Sequence, residues 1–274
     1  MLRDERYAVN FVGSRQAGSA IVPHFDVDNE GYPGWTSRQI ADHVYGFLQA
    51  NQPDIILLHI GSNDWSDNVN NINRILDNID TYERHYNHHI KVILARIINR
   101  QQYQAWITTL NRRIQSIANN RNAHGDDIYV VDMEYGAGLN YHTDFQDRTH
   151  PNNTGYYKMA SVWFRALKRF LPSPIPLEPK NLRVTSVGTT SATISWTDTS
   201  NNEQGFRIYY GNKLVATLGA NTTSYTIHDL NPNERYKYTV VSYSSGGNSN
   251  NRYIFVKTKG DYAWLIAVRH NILY

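Results

Sequence analysis

The chain has 274 residues, enough for two domains with separate cores, and its charged fraction of 19% is ordinary for a globular protein. Lys and Arg outnumber Asp and Glu by only 27 to 24 and form no block longer than pairs such as Arg112-Arg113, so nucleic acid is not an expected partner. The lack of cysteine excludes disulfides, thiol nucleophiles and zinc–thiolate sites, and no apolar run approaches the length of a membrane span.

Residues 1–15 lack the basic-then-apolar layout of a signal peptide, and the first apolar run, 8–12, reads as a strand. Helical patterns over 37–50, 68–86, 103–121 and 154–170 then alternate with apolar runs at 54–60, 90–97 and 127–133. Strand and helix in regular succession imply parallel strands joined by crossover helices, an α/β sandwich. The runs are almost wholly apolar, as expected of strands covered on both faces. The last helix has Asn153 or Thr154 as its expected cap. The domain is assigned residues 1–171.

Three prolines within residues 172–176 make a stiff linker. From 177 to 259 the pattern changes to short alternating runs at 181–187, 190–196, 206–210, 224–227, 236–243 and 253–258, parted by turn residues. This is an all-β sandwich of its own. Trp196 at a strand end and Leu230-Asn231-Pro232 ahead of Tyr236 resemble a bacterial fibronectin type III module, the last as its tyrosine corner. Residues 260–274 are apolar and aromatic, with Tyr262 and Trp264, and stay unassigned.

The strongest chemical signal is Asp147-Arg148-Thr149-His150-Pro151-Asn152, running on to Gly155-Tyr156 and Lys158-Met159-Ala160. A carboxylate three residues before an imidazole turns back onto the ring, fixing its tautomer and stabilising its charged form. Alone, the pair also suits a loop Asp and a capping His. The whole string resembles the terminal motif of the SGNH, or GDSL, hydrolases, which implies that Asp147 and His150 are the catalytic pair, His150 as general base then acid and Asp147 orienting it. Two more blocks agree in order. Ile60-Gly61-Ser62-Asn63-Asp64 follows a strand end, where open α/β sheets place their sites. By the resemblance Asn63 donates to the oxyanion, while Ser62 is not a nucleophile position. Glu30-Gly31-Tyr32-Pro33-Gly34-Trp35 resembles the second block, in which the backbone N–H of Gly34 lines the oxyanion hole.

The resemblance spans residues 7–170 and is nearest to the carbohydrate-esterase branch. It implies a flavodoxin-like three-layer fold, serine acyl transfer with no metal or organic cofactor, and an acylated carbohydrate or small ester as substrate. It also implies a secreted or cell-surface setting. One part is missing: no Gly-Asp-Ser occurs in the sequence. The first strand, the serine turn and the first helix of the family are therefore expected to be absent, leaving no nucleophile and an inactive chain. Ser14 and Ser19 are the nearest substitutes by position, and neither sits on a strand-to-helix elbow. The competing reading is a non-catalytic surface or glycan-binding protein with a remnant hydrolase fold.

Weaker signals carry blander explanations. His24, Asp26, Asp28 and Glu30 echo a calcium loop, but its twelfth position is Ser37 instead of Glu. His85, His88 and His89 cluster without a second ligand set, which suits an exposed polar loop. Trp35, Trp65 and Trp106 are candidates to line a sugar site or simply to pack.

Overall fold

A computed structural model of the chain describes residues 1–18 and 26–260, so Ser19, His24 and the tail from 261 lie outside the described residues. By contacts the chain divides into two compact units, Asn10–Phe170 and Met1–Val9 with the chain from Leu171 on.

The first unit opens with a two-residue antiparallel ribbon, β1 (Arg15–Gln16) and β2 (Asp28–Asn29). Then follow α1 (Ser37–Asn51), β3 (Ile55–Leu58), α2 (Asn70–Tyr86), β4 (Lys91–Arg96), α3 (Ala105–Asn122), β5 (Ile128–Asp132) and α4 (Asn153–Leu167). β3, β4 and β5 form a parallel sheet in that order. Side chains in register share a face. Ile56, Val92, Leu94, Ile128 and Val130 pack with apolar residues of α1, α2 and α3 into one core. The opposite face, with Ile93 and Tyr129, is met by α4, and Phe170 stands edge-on to Tyr129 at 5.2 Å. Helices on both sides of a parallel sheet make the expected three-layer α/β arrangement.

The expected strand at 8–12 does not form. A strand requires a hydrogen-bonding neighbour, and these residues find none among the described residues; Phe11 donates its N–H to the Asp26 carboxylate at 2.7 Å instead. Among the described residues β3 pairs with β4 alone and is therefore an edge, with Ile55, Ile56 and Leu57 only half-buried. α1 starts on a capping box. Thr36 accepts from the Gln39 N–H while the Gln39 side chain accepts from the Thr36 N–H at 2.9 Å. The cap of α4 is Asn152, one residue earlier than expected, accepting from the N–H groups of Thr154 and Gly155.

The second unit is the sandwich. Its strands are β6 (Lys180–Val187), β7 (Ala192–Thr197), β8 (Gly205–Tyr210), β9 (Lys213–Gly219), β10 (Ser224–Ile227), β11 (Arg235–Ser244), β12 (Gly247–Asn248) and β13 (Arg252–Lys257). One sheet runs β10-β7-β6; the other runs β12-β11-β8-β9, with β13 also paired to β11. Their inner faces bury Ile194, Trp196, Phe206, Ile208, Tyr238, Val240 and Val256. The Tyr236 hydroxyl accepts from the Asn231 N–H at 2.7 Å, completing the tyrosine corner. The proline segment is laid along this unit. Asn202 and Ser244 both donate to the Pro174 carbonyl, and Arg6 donates to the carbonyls of Ile175 and Pro176.

Candidate active site

The three parallel strands all end at the same edge, and the residues with chemical potential lie just beyond those ends. Ile60–Asp64 follows β3, Asn99 and Arg100 follow β4, and Glu134 follows β5. In open α/β sheets this is the edge where ligands are bound.

Asp147 and His150 face each other in the loop before α4. His150 Nδ1 lies 2.9 Å from Asp147 Oδ2, and Asp147 Oδ1 accepts the backbone N–H groups of Thr149 and His150 at 2.7 Å each. Those two amides, the His150 amide first, together with the imidazole bond hold the Asp147 carboxyl down at about 2. The carboxylate thus stays ionised, and Nε2 is the ring nitrogen left facing outward. Both side chains are more than half exposed. The loop is pinned from behind. Gln146 N–H donates to the His150 carbonyl, Asn152 N–H donates to the Asp144 carbonyl, and buried Asp144 pairs with Lys158 at 2.6 Å. At Gly155 a Cβ would fall 2.4 Å from the Asp144 carbonyl oxygen, so only glycine lets α4 approach the loop this closely.

Asn63 and Gly34 are brought together. The Asn63 side-chain amide donates to the carbonyl of Trp35, the residue after Gly34, at 3.0 Å. The next residue, Asp64, accepts the Ser37 N–H at 2.8 Å and so fastens the start of α1 to the same turn. Gly34 has φ +79° and open space where a Cβ would stand. Trp65 is also left-handed, with φ +50°, which is a strained setting for a bulky residue and one that recurs at functional sites.

The link between the two halves is Arg100. Its guanidinium lies 3.9 Å from the Trp65 ring centroid and donates to the Ser62 carbonyl at 3.1 Å and to Thr149 Oγ1 at 3.3 Å. One side chain therefore braces the Asn63 turn against the His150 loop. Among the described residues no hydrogen bond joins His150 directly to Asn63 or Gly34. Behind Arg100 lies a buried polar cluster. Glu134 accepts from Asn99, Asn111 and Thr108, and Asn111 also clasps both the N–H and the carbonyl of Ile97. Neither Arg100 nor this cluster was expected from the sequence. The available signal was position, since both follow strand ends at the ligand edge.

Ser14 is committed elsewhere. Its Oγ lies 2.7 Å from Glu30 Oε1 and 3.2 Å from the Tyr32 hydroxyl, and its N–H also donates to Glu30. Burial raises the Glu30 carboxyl, but the bonds from Ser14, Tyr32 and Asn51 outweigh it and leave it below its ordinary value. Among the described residues no serine hydroxyl is hydrogen-bonded to the His150 ring. Of the tryptophans, Trp65 is 64% exposed and 6.3 Å from the half-buried Trp106, while Trp35 stacks on Tyr32 at 4.1 Å. His89 sits between Glu83 and Asp127, and no three His, Asp or Glu side chains among the described residues are grouped to hold a metal. No helix there is long and apolar enough to cross a membrane.

The chain is similar to several known esterases. A multidomain esterase of Ruminococcus flavefaciens is 24% identical over 169 residues, which make up 54% of this chain and 21% of that protein, so the chain spans about a fifth of that relative. The solved structure of a family 3 carbohydrate esterase from Clostridium thermocellum matches with a TM-score of 0.53 and 27% identity, over 60% of this chain and 79% of that one. A carbohydrate esterase family 3 structure from Talaromyces cellulolyticus, 24% identical with a TM-score of 0.53 over 59% of this chain and 82% of its own, shares the fold. The fibronectin type III model matches residues 177–256, and the GDSL-like lipase/acylhydrolase model matches residues 5–158. The chain thus belongs to the GDSL-like lipase/acylhydrolase family, with a fibronectin type III domain behind the hydrolase domain.

Proposed function

We propose that the hydrolase domain carries the acid–base half of a carbohydrate deacetylase working by serine acyl transfer, with the attacking hydroxyl not supplied by residues 1–274. The observation that carries this reading is the Asp147–His150 pair, with the carboxylate held at about 2 and the ring's Nε2 facing outward. His150 takes the proton of the hydroxyl as its oxygen attacks the acetyl carbonyl. The N–H groups of Gly34 and Asn63 receive the resulting oxyanion. Collapse expels the sugar oxygen, which takes the proton back from the imidazolium, and water then repeats the sequence to release acetate. Asp147 orients the ring and offsets its charge throughout. The family, the carbohydrate-esterase neighbours and the exposed Trp65 beside the site support a sugar ester as substrate, met outside the cell or at its surface.

Hydrolysis of p-nitrophenyl acetate by the chain and by His150→Ala tests the nucleophile. Equal rates are expected; a rate that falls in the variant means that a serine of this chain serves. Grafting a strand, turn and helix that carry the family's Gly-Asp-Ser ahead of residue 8 tests the rest. Acetate release from acetylated xylan is expected, falling by about 10³-fold or more in His150→Ala or Asp147→Ala. A folded graft whose release ignores both residues overturns the assignment.

A further inference from the structure

We infer that the outward face of the five-stranded sheet in the fibronectin type III domain binds an anionic polysaccharide, a glycan bearing carboxylates along its chain. β8, β9, β11, β12 and β13 contain no Asp or Glu. Alternate residues of β11, Tyr236, Tyr238 and Val240, belong to the sandwich core, so the intervening positions face outward. Register then puts Arg235 beside Lys257, Lys237 beside Phe255 and Thr239 between Tyr253 and Tyr209 on that face, with Arg207 beside Val241, which is itself buried. The domain as a whole has nine Lys and Arg against five Asp and Glu over residues 177–259.

Two features distinguish this surface from an ordinary solvated sheet. Arg235 and Lys257 stand directly opposite each other, a like-charge cross-strand pair that weakens the sheet. Among the described residues neither they nor Lys237 and Arg207 pair with a carboxylate, so an incoming anion is what neutralises them. Aromatic rings also lie among these cations, with Tyr253 61% and Phe255 47% exposed. Lys237 lies over the Tyr253 ring at 4.4 Å, Arg235 over Phe255 at 4.3 Å and Arg207 over Tyr243 at 4.1 Å. Tyr253 and Tyr209 flank Thr239 two interstrand steps apart, about 10 Å. Rings at that interval suit the apolar faces of successive sugars, and the cations between them suit uronate carboxylates. Choosing a glycan over other polyanions rests on the esterase reading; the binding face itself does not.

Affinity gel electrophoresis of the full chain in polygalacturonate, in its neutral methyl ester and in duplex DNA tests this. Polygalacturonate is expected to retard the chain, the methyl ester to leave it unaffected, and added salt to release it. Arg235→Gln with Lys237→Gln and Lys257→Gln should weaken binding about tenfold or more, as should Tyr253→Ala with Phe255→Ala. Lys180→Gln with Arg183→Gln, on the opposite sheet, should bind as the parent does. His150→Ala should also bind normally, so failure of the catalytic reading and failure of this one are separable. No retardation by polygalacturonate, equal retardation of parent and triple-Gln chains, or stronger retardation by DNA each overturns the proposal. Thermal melts confirm that the variants, all at exposed positions, remain folded.

Discussion

Replacing Asn111 with leucine changes little volume but removes three hydrogen bonds from a fully buried position. The Asn111 amide accepts from the Ile97 N–H at 2.7 Å and donates to the Ile97 carbonyl at 2.8 Å and to Glu134 Oε2 at 2.9 Å. A buried polar group left unpaired costs roughly 1–3 kcal/mol, and more when it is charged. With two backbone groups and one carboxylate oxygen orphaned, offset in part by the added apolar contacts, the expected loss is about 3–6 kcal/mol. That is a large share of the roughly 5–15 kcal/mol a domain possesses. Urea unfolding followed by tryptophan fluorescence and near-UV dichroism should show the hydrolase transition moving to much lower denaturant. The fibronectin type III transition, in a separate unit, should stay in place as an internal reference. Asn119→Leu, on the exposed side of the same helix, should change stability by no more than about 0.5 kcal/mol. Since Ile97 leads into Arg100, the backbone amide signals of Thr149 and His150 should also move. A loss below about 1 kcal/mol in Asn111→Leu, or motionless Thr149 and His150 signals, refutes the reasoning.

Asp147 should titrate at about 2 when followed by carboxyl ¹³C NMR, and His150→Ala should return it only part of the way to 3.8, since backbone amides contribute first. Because this pKa is depressed, the stability it lends is complete above the ordinary carboxylate value and fades as pH falls towards 2; a parent midpoint near 3.8 contradicts the geometry. His59 lies at the end of β3 with its Nε2 buried and unpartnered, and desolvation pushes it down from 6.5 to about 4. The unfolded chain therefore takes up the proton first, and the hydrolase domain should lose up to about 3 kcal/mol as pH falls from about 6.5 to 4. His59→Leu should flatten that slope in a series of thermal melts, and an unchanged slope rules the explanation out.

The sheet of the hydrolase domain was legible because β3, β4 and β5 read as nearly unbroken apolar runs between helices, with β4 buried at the centre and β3 and β5 partly buried beside it. The capping box of Thr36 and Gln39 at the start of α1 is an equally local signal, a reciprocal bond three residues apart, that the sequence reading did not use. The Asp147–His150 pair was legible for a related reason: its geometry closes within four residues. The run at 8–12 misled because an apolar stretch becomes a strand only when another strand accepts its hydrogen bonds, a fact no local pattern contains. β9 escaped notice as an exposed edge strand whose alternation is disturbed where its pairing with β8 shifts register at Ile208 and Tyr209. Arg100 was invisible because the two groups its guanidinium hydrogen-bonds lie 38 and 49 positions away. Nothing near residue 100 hints at either.

The bonds that assemble the site end on peptide groups more often than on side chains. Asn63 reaches the Trp35 carbonyl, Arg100 reaches the Ser62 carbonyl, and Asp64 reaches the Ser37 amide. Every amino acid offers such a carbonyl, and every one except proline offers the amide. Sequence drift at 35, 37 and 62 thus leaves these anchorages intact, whereas 63, 64 and 100 have no such freedom. Divergent members of a lineage built this way would keep three long-reaching polar residues and vary what they grip, letting the surface around the catalytic edge adapt without dismantling its frame.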